Sequence, residues 1–292
     1  MNTKPLALAV PHDNRVESAL AFAANEAERR RAPLRLVHVF DAAGPEPEPV
    51  QGFIPELPSA YASGTNVLWR AREAVAGLVK GEVELDCRPL EGSLRETLVD
   101  AAGGASLMVL QRRDHGRVRR LVTRSTSSGV AARASTAVVV VPEAWHAHDR
   151  KVVTVGVDEI TRGKGLLTIA LDEAASRGAL LRVVHAIWSV AGLDDVLVEQ
   201  ATARRRVAQA MRDLDHAVQA IVTSDPSYRD VKVDLDVRHE RPGEMLLSAA
   251  EDSDLVIVGR HDPLLPIGSH LGPVCGGLLR ESPVPVMVVD PR

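Results

Sequence analysis

The sequence has 292 residues, a length that suits two domains better than one compact core. Aromatic residues make up only 3% of it and the formal net charge is −4 at pH 7, which argues against nucleic-acid binding by base stacking or by general electrostatic attraction. No apolar run reaches the ~18 residues of a membrane helix. Only two cysteines are present, Cys87 and Cys275, and no signal-peptide pattern opens the chain, so a cytoplasmic protein is expected.

The first half alternates apolar, strand-like runs with helical patterns. Runs of β-branched and aliphatic residues that are apolar on both faces are typical of parallel strands buried on both sides. The predicted strands are residues 6–10, 34–40, 82–87, 107–110 and 137–141, and the predicted helices are residues 13–31, 60–79, 94–102 and 127–133. Charged and apolar residues alternate in 82–87, which predicts an edge strand.

The second half repeats this order. The run Leu34–Val39 is mirrored by Leu181–Ala186 at an offset of 147 residues, and Leu107 reappears as Leu255 at an offset of 148. The predicted strands are residues 152–157, 181–186, 231–237, 255–259 and 285–289, and the predicted helices are residues 166–177, 194–222, 243–251 and 273–280. Two copies of one unit are the economical description, as domains 1–143 and 150–292.

Five strands that alternate with four helices predict an α/β fold, a doubly wound, Rossmann-like parallel sheet of strand order 3-2-1-4-5 in each half. Ligands of such sheets bind above the switch point between strands 1 and 4, at the carboxyl ends of the strands. In the second half this crevice is flanked by Asp158 and Gly259, and in the first half by Pro11 and Gln111.

A nucleotide-loop pattern follows these positions in the second half. Asp158 ends the first predicted strand, Gly259 ends the fourth, and Gly272 opens the last helix. With this pattern the chain resembles the universal stress protein family over nearly its whole length, in a tandem, two-domain form like that of actinobacteria. Members that bind ATP have an Asp at the end of strand 1 and a loop G-x-x-G-(x)9-G-[S/T]. Here the spacing holds, but Asp262 replaces the second glycine and Pro273 the Ser/Thr.

The resemblance implies a site for ATP or ADP in the second half, with Mg²⁺ if the nucleotide binds. By analogy with the family, the Asp contacts the ribose or the adenine, the backbone at the end of strand 2 contacts the base, and the loop glycines contact the phosphates. Gly268 and Ser269, inside the loop, are candidate substitute donors to the phosphates. The expected binding residues are Asp158, Ala186, Gly259, Gly268, Ser269 and Gly272.

The first half departs from the pattern at every loop position. Its corresponding residues are Pro11, Gln111, Asp114, Arg124 and Ser125. Because side chains there fill the room that a nucleotide needs, no nucleotide is expected in this half. A basic cluster in the same loop is either a solvated surface or a contact for an anion, an acidic protein or nucleic acid. It comprises Arg112, Arg113, Arg117, Arg119, Arg120 and Arg124.

Other candidate residues are assigned structural roles. His38 and His185 stand at equivalent places near the ends of their strands, which indicates a repeated structural role. The segment 163–165 (Gly-Lys-Gly) lacks the rest of a P-loop and predicts a turn into a helix. The sequence has no G-x-S-x-G elbow and no zinc-protease helix, so no catalytic centre is predicted.

The resemblance therefore implies a tandem universal stress protein, a non-enzymatic stress-response regulator that senses ATP or ADP through its second half. One alternative is a scaffold without nucleotide that binds an unknown protein partner. In that reading the edge strands 137–141 and 285–289 pair either in a homodimer or with each other. A weak ATPase is a further alternative.

Overall fold

The computed structural model of the chain describes residues 4–41, 60–113, 126–188, 196–260 and 271–290. The chain divides into two compact units, Met1–Ala144 and Trp145–Arg292. Each unit is an α/β domain.

The first unit contains one parallel five-stranded sheet. Its strands are β1 (Leu6–Ala9), β2 (Leu34–Phe40), β3 (Leu85–Glu91), β4 (Leu107–Arg112) and β5 (Ala137–Pro142). Its helices are α1 (Glu17–Arg30), α2 (Ala60–Ala76), α3 (Leu94–Gly103) and α4 (Thr126–Arg133). The hydrogen-bonded order is β3-β2-β1-β4-β5, with every pair parallel.

The second unit repeats this architecture. Its strands are β6 (Val152–Gly156), β7 (Leu180–Ala186), β8 (Val233–Arg238), β9 (Leu255–Gly259) and β10 (Val286–Val289). Its helices are α5 (Lys164–Arg177), α6 (Val196–Ser224), α7 (Pro242–Glu251) and α8 (Pro273–Glu281). The order β8-β7-β6-β9-β10 is again parallel throughout. The predicted Rossmann-like fold and strand order are confirmed in both units.

The central strands are buried on both faces, which explains their uninterrupted apolar sequences. Leu6 and Leu8 of β1 have no solvent exposure, and neither has Leu107 of β4. Helices cover the two faces, since each crossover between parallel strands places a helix there. Burial of each such side chain contributes about 1.5–3 kcal/mol to the stability of the fold. Aliphatic side chains therefore stabilise the core of a chain that has few aromatic residues.

Two elements are predicted to begin three or four residues too early. The edge strand predicted at residues 82–87 is β3, at Leu85–Glu91, and it includes Pro89. Because β3 stands at the edge of the sheet, the N–H that Pro89 lacks is not needed for pairing with a second neighbour. The first helix begins at Glu17 rather than at residue 13, because Asn14 has a left-handed φ of 54° that interrupts a helix.

Equivalent helices of the two units end in the same left-handed conformation. The C-cap of α1 is Arg31, with φ 49° and ψ 45°, and the C-cap of α5 is Gly178, with φ 58° and ψ 39°. Glycine adopts this conformation without a steric penalty, whereas a residue with a Cβ atom does not. The first unit therefore carries backbone strain at a position where the second carries none.

We expect Arg31→Gly to raise the free energy of unfolding of the first unit by about 0.5–1 kcal/mol, because it removes the left-handed strain. Gly178→Ala should lower the free energy of unfolding of the second unit by about 1 kcal/mol. Apart from the atoms of its chain neighbours, no described atom lies within 4 Å of a Cβ built on Gly178, so the second effect is purely conformational. Urea unfolding measures both changes, and effects of the same sign in the two variants would contradict the explanation.

A buried hydroxyl pair distinguishes the core of the second unit. Thr154 of β6 and Ser253 are fully buried, and their hydroxyl oxygens lie 2.7 Å apart. The Ser253 hydroxyl also donates to the Ala249 carbonyl at 2.7 Å, so the Thr154 hydroxyl is the donor to Ser253. The equivalent residues of the first unit are the buried Ala7 and Ala105, a matching apolar pair.

Ser253→Ala is expected to lower the free energy of unfolding by about 1–3 kcal/mol, because the Thr154 hydroxyl loses its acceptor in a dry core. Adding Thr154→Val removes that hydroxyl at nearly constant shape and should restore part of the loss. A double-mutant cycle by urea unfolding measures the coupling between the two sites. Strictly additive losses would show that the two hydroxyl groups are not coupled.

Candidate functional site

In each unit the switch point lies at the carboxyl ends of two central strands. The chain leaves the first strand toward the second on one side, and the fourth strand pairs with the first on the other side. The two helices that follow these strands diverge there, so a crevice forms above the edge of the sheet. In the first unit the crevice lies above β1 and β4, and in the second above β6 and β9.

Asp158 stands at the mouth of the second crevice. It follows β6 directly after Val157, whose N–H donates to the Val184 carbonyl at 2.9 Å and so extends the pairing with β7. Asp158 itself is exposed. Within the part of the chain that the structure describes, its carboxylate has no hydrogen-bond or ion-pair partner. It is therefore available to a polar group that enters the crevice.

A histidine holds the carbonyl directly after the first strand in both units. The Nδ1 atom of His38 lies 2.8 Å from the Val10 carbonyl oxygen, and that of His185 lies 2.9 Å from the Val157 carbonyl oxygen. A carbonyl oxygen only accepts, so Nδ1 carries the proton in each ring. The repetition of this contact supports the structural role predicted for both histidines, and in the second unit it fixes the backbone that leads into Asp158.

The start of α5 closes one side of the second crevice. A short 3-10 turn, Ile160–Arg162, leads into the N-cap Gly163, and Lys164 is the first residue of the helix. A Cβ atom built on Gly163 would lie 3.2 Å from Cγ1 of Val157, so a residue without a side chain lets this turn pack on the strand end. Residues 163–165 thus form a turn into a helix, as the sequence predicts, and Lys164 at the start of the helix is exposed.

Gly259 and Gly272 bound the other side. Gly259 is the last residue of β9, and the next N–H, that of Arg260, donates to the Val289 carbonyl at 2.8 Å. Gly272 is the N-cap of α8, with φ −63° and ψ 167°, and Pro273 follows as the first helical residue. This backbone conformation suits any residue, so the role of Gly272 is not conformational.

The crevice of the first unit is bridged by its own side chains. Gln111 at the end of β4 accepts a hydrogen bond from the Ala19 N–H at 3.1 Å and donates one to the Arg15 carbonyl at 3.2 Å. Arg113 forms an ion pair with Asp13 at 2.7 Å. These contacts join the end of β4 to the segment around the start of α1, across the place where a ligand of this fold lies.

In the second unit the residue at the position of Gln111 has no side chain. Gly259 is the counterpart of Gln111, and the N–H of Leu166 is the counterpart of the Ala19 N–H, because α1 and α5 are equal in length and related by an offset of 147. No Cβ atom extends from Gly259 toward α5. The two crevices therefore differ physically at the end of the fourth strand.

An aromatic and cationic group lies beyond the end of β7. The Trp188 residue is 49% exposed. The Arg241 guanidinium carbon lies 5.3 Å from the centroid of the indole ring, and the His239 ring centroid lies 6.5 Å from it. No motif in the sequence identifies this group. A tryptophan two residues after a strand, in a chain with 3% aromatic residues, is the only hint.

Cys275 in the first turn of α8 is buried and lies near Arg260. Burial raises the pKa of the Cys275 thiol to about 12, although the positive charge of Arg260 acts in the opposite direction. Burial also lowers the pKa of Arg260. The thiol thus stays protonated at neutral pH and is not a nucleophile.

Four of the six predicted binding residues are described. Three of them lie at or just beyond the ends of adjacent strands, in the order β7-β6-β9: Ala186, Asp158 and Gly259. Gly272 opens the following helix. The other two, Gly268 and Ser269, lie outside the described ranges. The same holds for Asp262 of the second loop, for Asp114 and Ser125 of the first loop, and for Arg117, Arg119, Arg120 and Arg124 of the basic cluster. No group of three or more metal-ligating side chains occurs within the described ranges.

The structure also bears on membrane insertion. Among the helices of the described ranges, none is both long enough and apolar enough to cross a membrane.

Comparison with known proteins gives matches over the whole chain. A family model described as the universal stress protein family matches residues 3–142 and again residues 149–290. A universal stress protein of Mycolicibacterium smegmatis is 29% identical over 293 residues, which cover 94% of this chain and 93% of the relative. A universal stress protein of Mycobacterium tuberculosis is 29% identical over 283 residues, which cover 93% of this chain and 92% of the relative.

A solved structure supports the same assignment at the level of the fold. The crystal structure of a universal stress protein from Archaeoglobus fulgidus matches 97% of this chain and 96% of its own, with a TM-score of 0.64 and 15% sequence identity. At such identity the likeness concerns the fold alone. With the family model matched twice, the chain belongs to the universal stress protein family, in a tandem form with two such domains.

Proposed function

We propose that the second unit binds an adenine nucleotide, ATP or ADP, and that the protein is a non-enzymatic cytoplasmic regulator whose occupancy follows nucleotide concentration. The observation that carries this proposal is the difference at the end of the fourth strand. Gln111 spans the first crevice with two hydrogen bonds, whereas Gly259 leaves the second without that bridge. In this proposal, domain 1–143 is a scaffold without nucleotide and domain 150–292 is the sensor.

Each end of the nucleotide has a counterpart at the edge of the sheet. The exposed Asp158 carboxylate accepts a hydrogen bond from the ribose hydroxyls or the adenine, and the backbone near Ala186 contacts the base. The phosphates lie between Gly259 and Gly272, with Gly268 and Ser269 as further donors. Since β7, β6 and β9 are neighbours, these contacts follow one line across the sheet.

The start of α8 offers backbone N–H groups to the phosphates. Free N–H groups and the helix dipole at a helix start both favour an anion. Pro273 has no N–H, so the donors are the next two residues, Val274 and Cys275, while the Gly276 N–H is already bonded to the Gly272 carbonyl at 3.0 Å. Lys164 adds a positive charge on the α5 side. A bound di- or triphosphate carries Mg²⁺ in this proposal, because the metal ion neutralises part of the phosphate charge.

Asp158→Asn should weaken nucleotide binding roughly 10- to 100-fold, because the variant replaces a charged acceptor by a weaker one. Equilibrium dialysis of labelled ATP and ADP against the full chain, with and without Mg²⁺, measures the change. The matched control is Glu159→Gln, which removes the same charge one residue away, where the carboxylate pairs with Thr161 and Arg162.

Three outcomes of this experiment are informative. Equal losses in the two variants would mean that net charge, and not the Asp158 contact, controls binding. Absence of binding to the wild-type chain at millimolar nucleotide would overturn the proposal in favour of an interaction scaffold. Steady phosphate release that requires Mg²⁺ and is lost in Asp158→Asn would contradict the non-enzymatic part and favour the weak ATPase.

Gly259→Gln transfers the bridging residue of the first unit to the second and should lower nucleotide affinity roughly 10-fold or more. The new amide is expected to accept a hydrogen bond from the Leu166 N–H, as Gln111 does from that of Ala19, and so to occupy the ligand's place. Dialysis measures affinity, and circular dichroism with thermal unfolding checks that the variant is folded.

The control for this exchange is Gln111→Gly in the first unit. It removes the bridge there and should leave the affinity of the second unit unchanged. Wild-type affinity in a folded Gly259→Gln variant would show that the end of β9 does not limit access to the nucleotide.

A further inference from the structure

We infer that Trp188 forms a stacking surface for the adenine ring of the bound nucleotide. The inference rests on the proposed function and adds a residue to that site, one that neither the glycine loop nor the Asp at the strand end includes. The first observation is the solvent exposure of Trp188. Exposed indole surface contributes nothing to the core, yet 49% of Trp188 is exposed in a unit whose apolar strands are buried.

The position of Trp188 along the sheet fits the base end of a nucleotide. It lies two residues beyond Ala186, and the intervening Ile187 N–H donates to the Arg238 carbonyl at 2.8 Å, so the chain at Trp188 still follows β8. Neighbouring strands lie about 4.8 Å apart, which puts β7 roughly 10 Å from β9. Phosphates at Gly259 therefore leave the ribose above β6 and the base above β7, next to the indole.

The indole is held in place from one side. The Arg241 guanidinium lies 5.3 Å from the ring centroid, and Arg241 is itself bonded to Glu244 of α7 at 3.1 Å. A cation over an aromatic face is attracted by the ring quadrupole, so the contact orients the ring before a ligand arrives. The exposed remainder of the ring is then available to a planar base, which stacks through its π-face.

The first unit has acidic side chains where the second has Trp188 and His239. By the strand offsets, Trp188 corresponds to Asp41 and His239 to Glu91, and the N-cap Arg241 of α7 corresponds to the N-cap Ser93 of α3. Two carboxylates replace an aromatic ring and a histidine, and they repel an anionic ligand. The stacking group thus occurs in the unit that has Gly259 in place of the bridging Gln111.

The test compares Trp188→Leu, which keeps an apolar side chain without an aromatic ring, with Trp188→Phe, which keeps a ring. Dialysis of labelled ATP should show affinity about 5- to 150-fold lower for Trp188→Leu, the range for loss of one base–aromatic stack. Trp188→Phe should retain most of the affinity. Trp69→Leu is the matched control, since Trp69 is 59% exposed and belongs to the first unit.

Two further measurements distinguish a loss of base stacking from a general loss of nucleotide binding. Inorganic tripolyphosphate has no base, so its own dissociation constant, obtained by competition with labelled ATP, should be unchanged in Trp188→Leu. ATP should quench the tryptophan fluorescence of the wild-type chain and of Trp69→Leu, and the quenching should be absent in Trp188→Leu.

The outcomes distinguish this inference from the proposed function. Equal ATP affinity in the wild type and Trp188→Leu would overturn the stacking role and leave nucleotide binding intact. Equal weakening in Trp188→Phe and Trp188→Leu would also overturn it, because a phenyl ring still stacks. No ATP binding to the wild-type chain would overturn both proposals.

Discussion

Each unit depends on a first strand that is hydrogen-bonded on both sides. β1 pairs with β2 and β4, and β6 pairs with β7 and β9, in parallel register throughout. Parallel pairing aligns all the carboxyl ends at one edge, and the reversal of chain direction beside the first strand opens the crevice there. The imidazole contacts of His38 and His185 hold the carbonyl directly after this strand, where the chain enters the crevice.

The duplicated units share a scaffold and differ in what their crevices contain. The buried strands keep the same register in both, whereas the exposed edge has Gln111, Arg113 and Asp13 in one unit and Gly259 in the other. Edge side chains contribute little to the core, so they change without loss of the fold. The hydroxyl pair Thr154 and Ser253 shows that the core also changes, but in matched pairs, since one buried hydroxyl alone lacks a partner.

Much of the fold could be predicted from the sequence, because buried parallel strands have a strong local signal. The repeat, the strand order and the positions of Asp158 and Gly259 at neighbouring strand ends followed from apolar runs and their spacing. The edge strand with Pro89 was misplaced by three residues at its start, because half-exposed strands alternate weakly and pairing partners decide their ends. Whether nucleotide binds at these positions stays a prediction.

The contacts within the crevices could not be predicted in this way. The bridge from Gln111 to Ala19 joins residues 92 positions apart, and only the packing of α1 on the sheet brings them together. The cluster of Trp188 with Arg241 has the same cause, since the N-cap of α7 meets the end of β7 only in the folded unit. Local periodicity contains no information about such tertiary neighbours.

The difference between the crevices has a consequence for regulation under the proposed function. If only the second unit binds nucleotide, as proposed, the two domains of one chain supply no second site for cooperativity. Its occupancy then follows a simple hyperbola in nucleotide concentration, with half-occupancy at the dissociation constant. Such a chain responds gradually to the nucleotide level, and a sharper response requires coupling to another molecule.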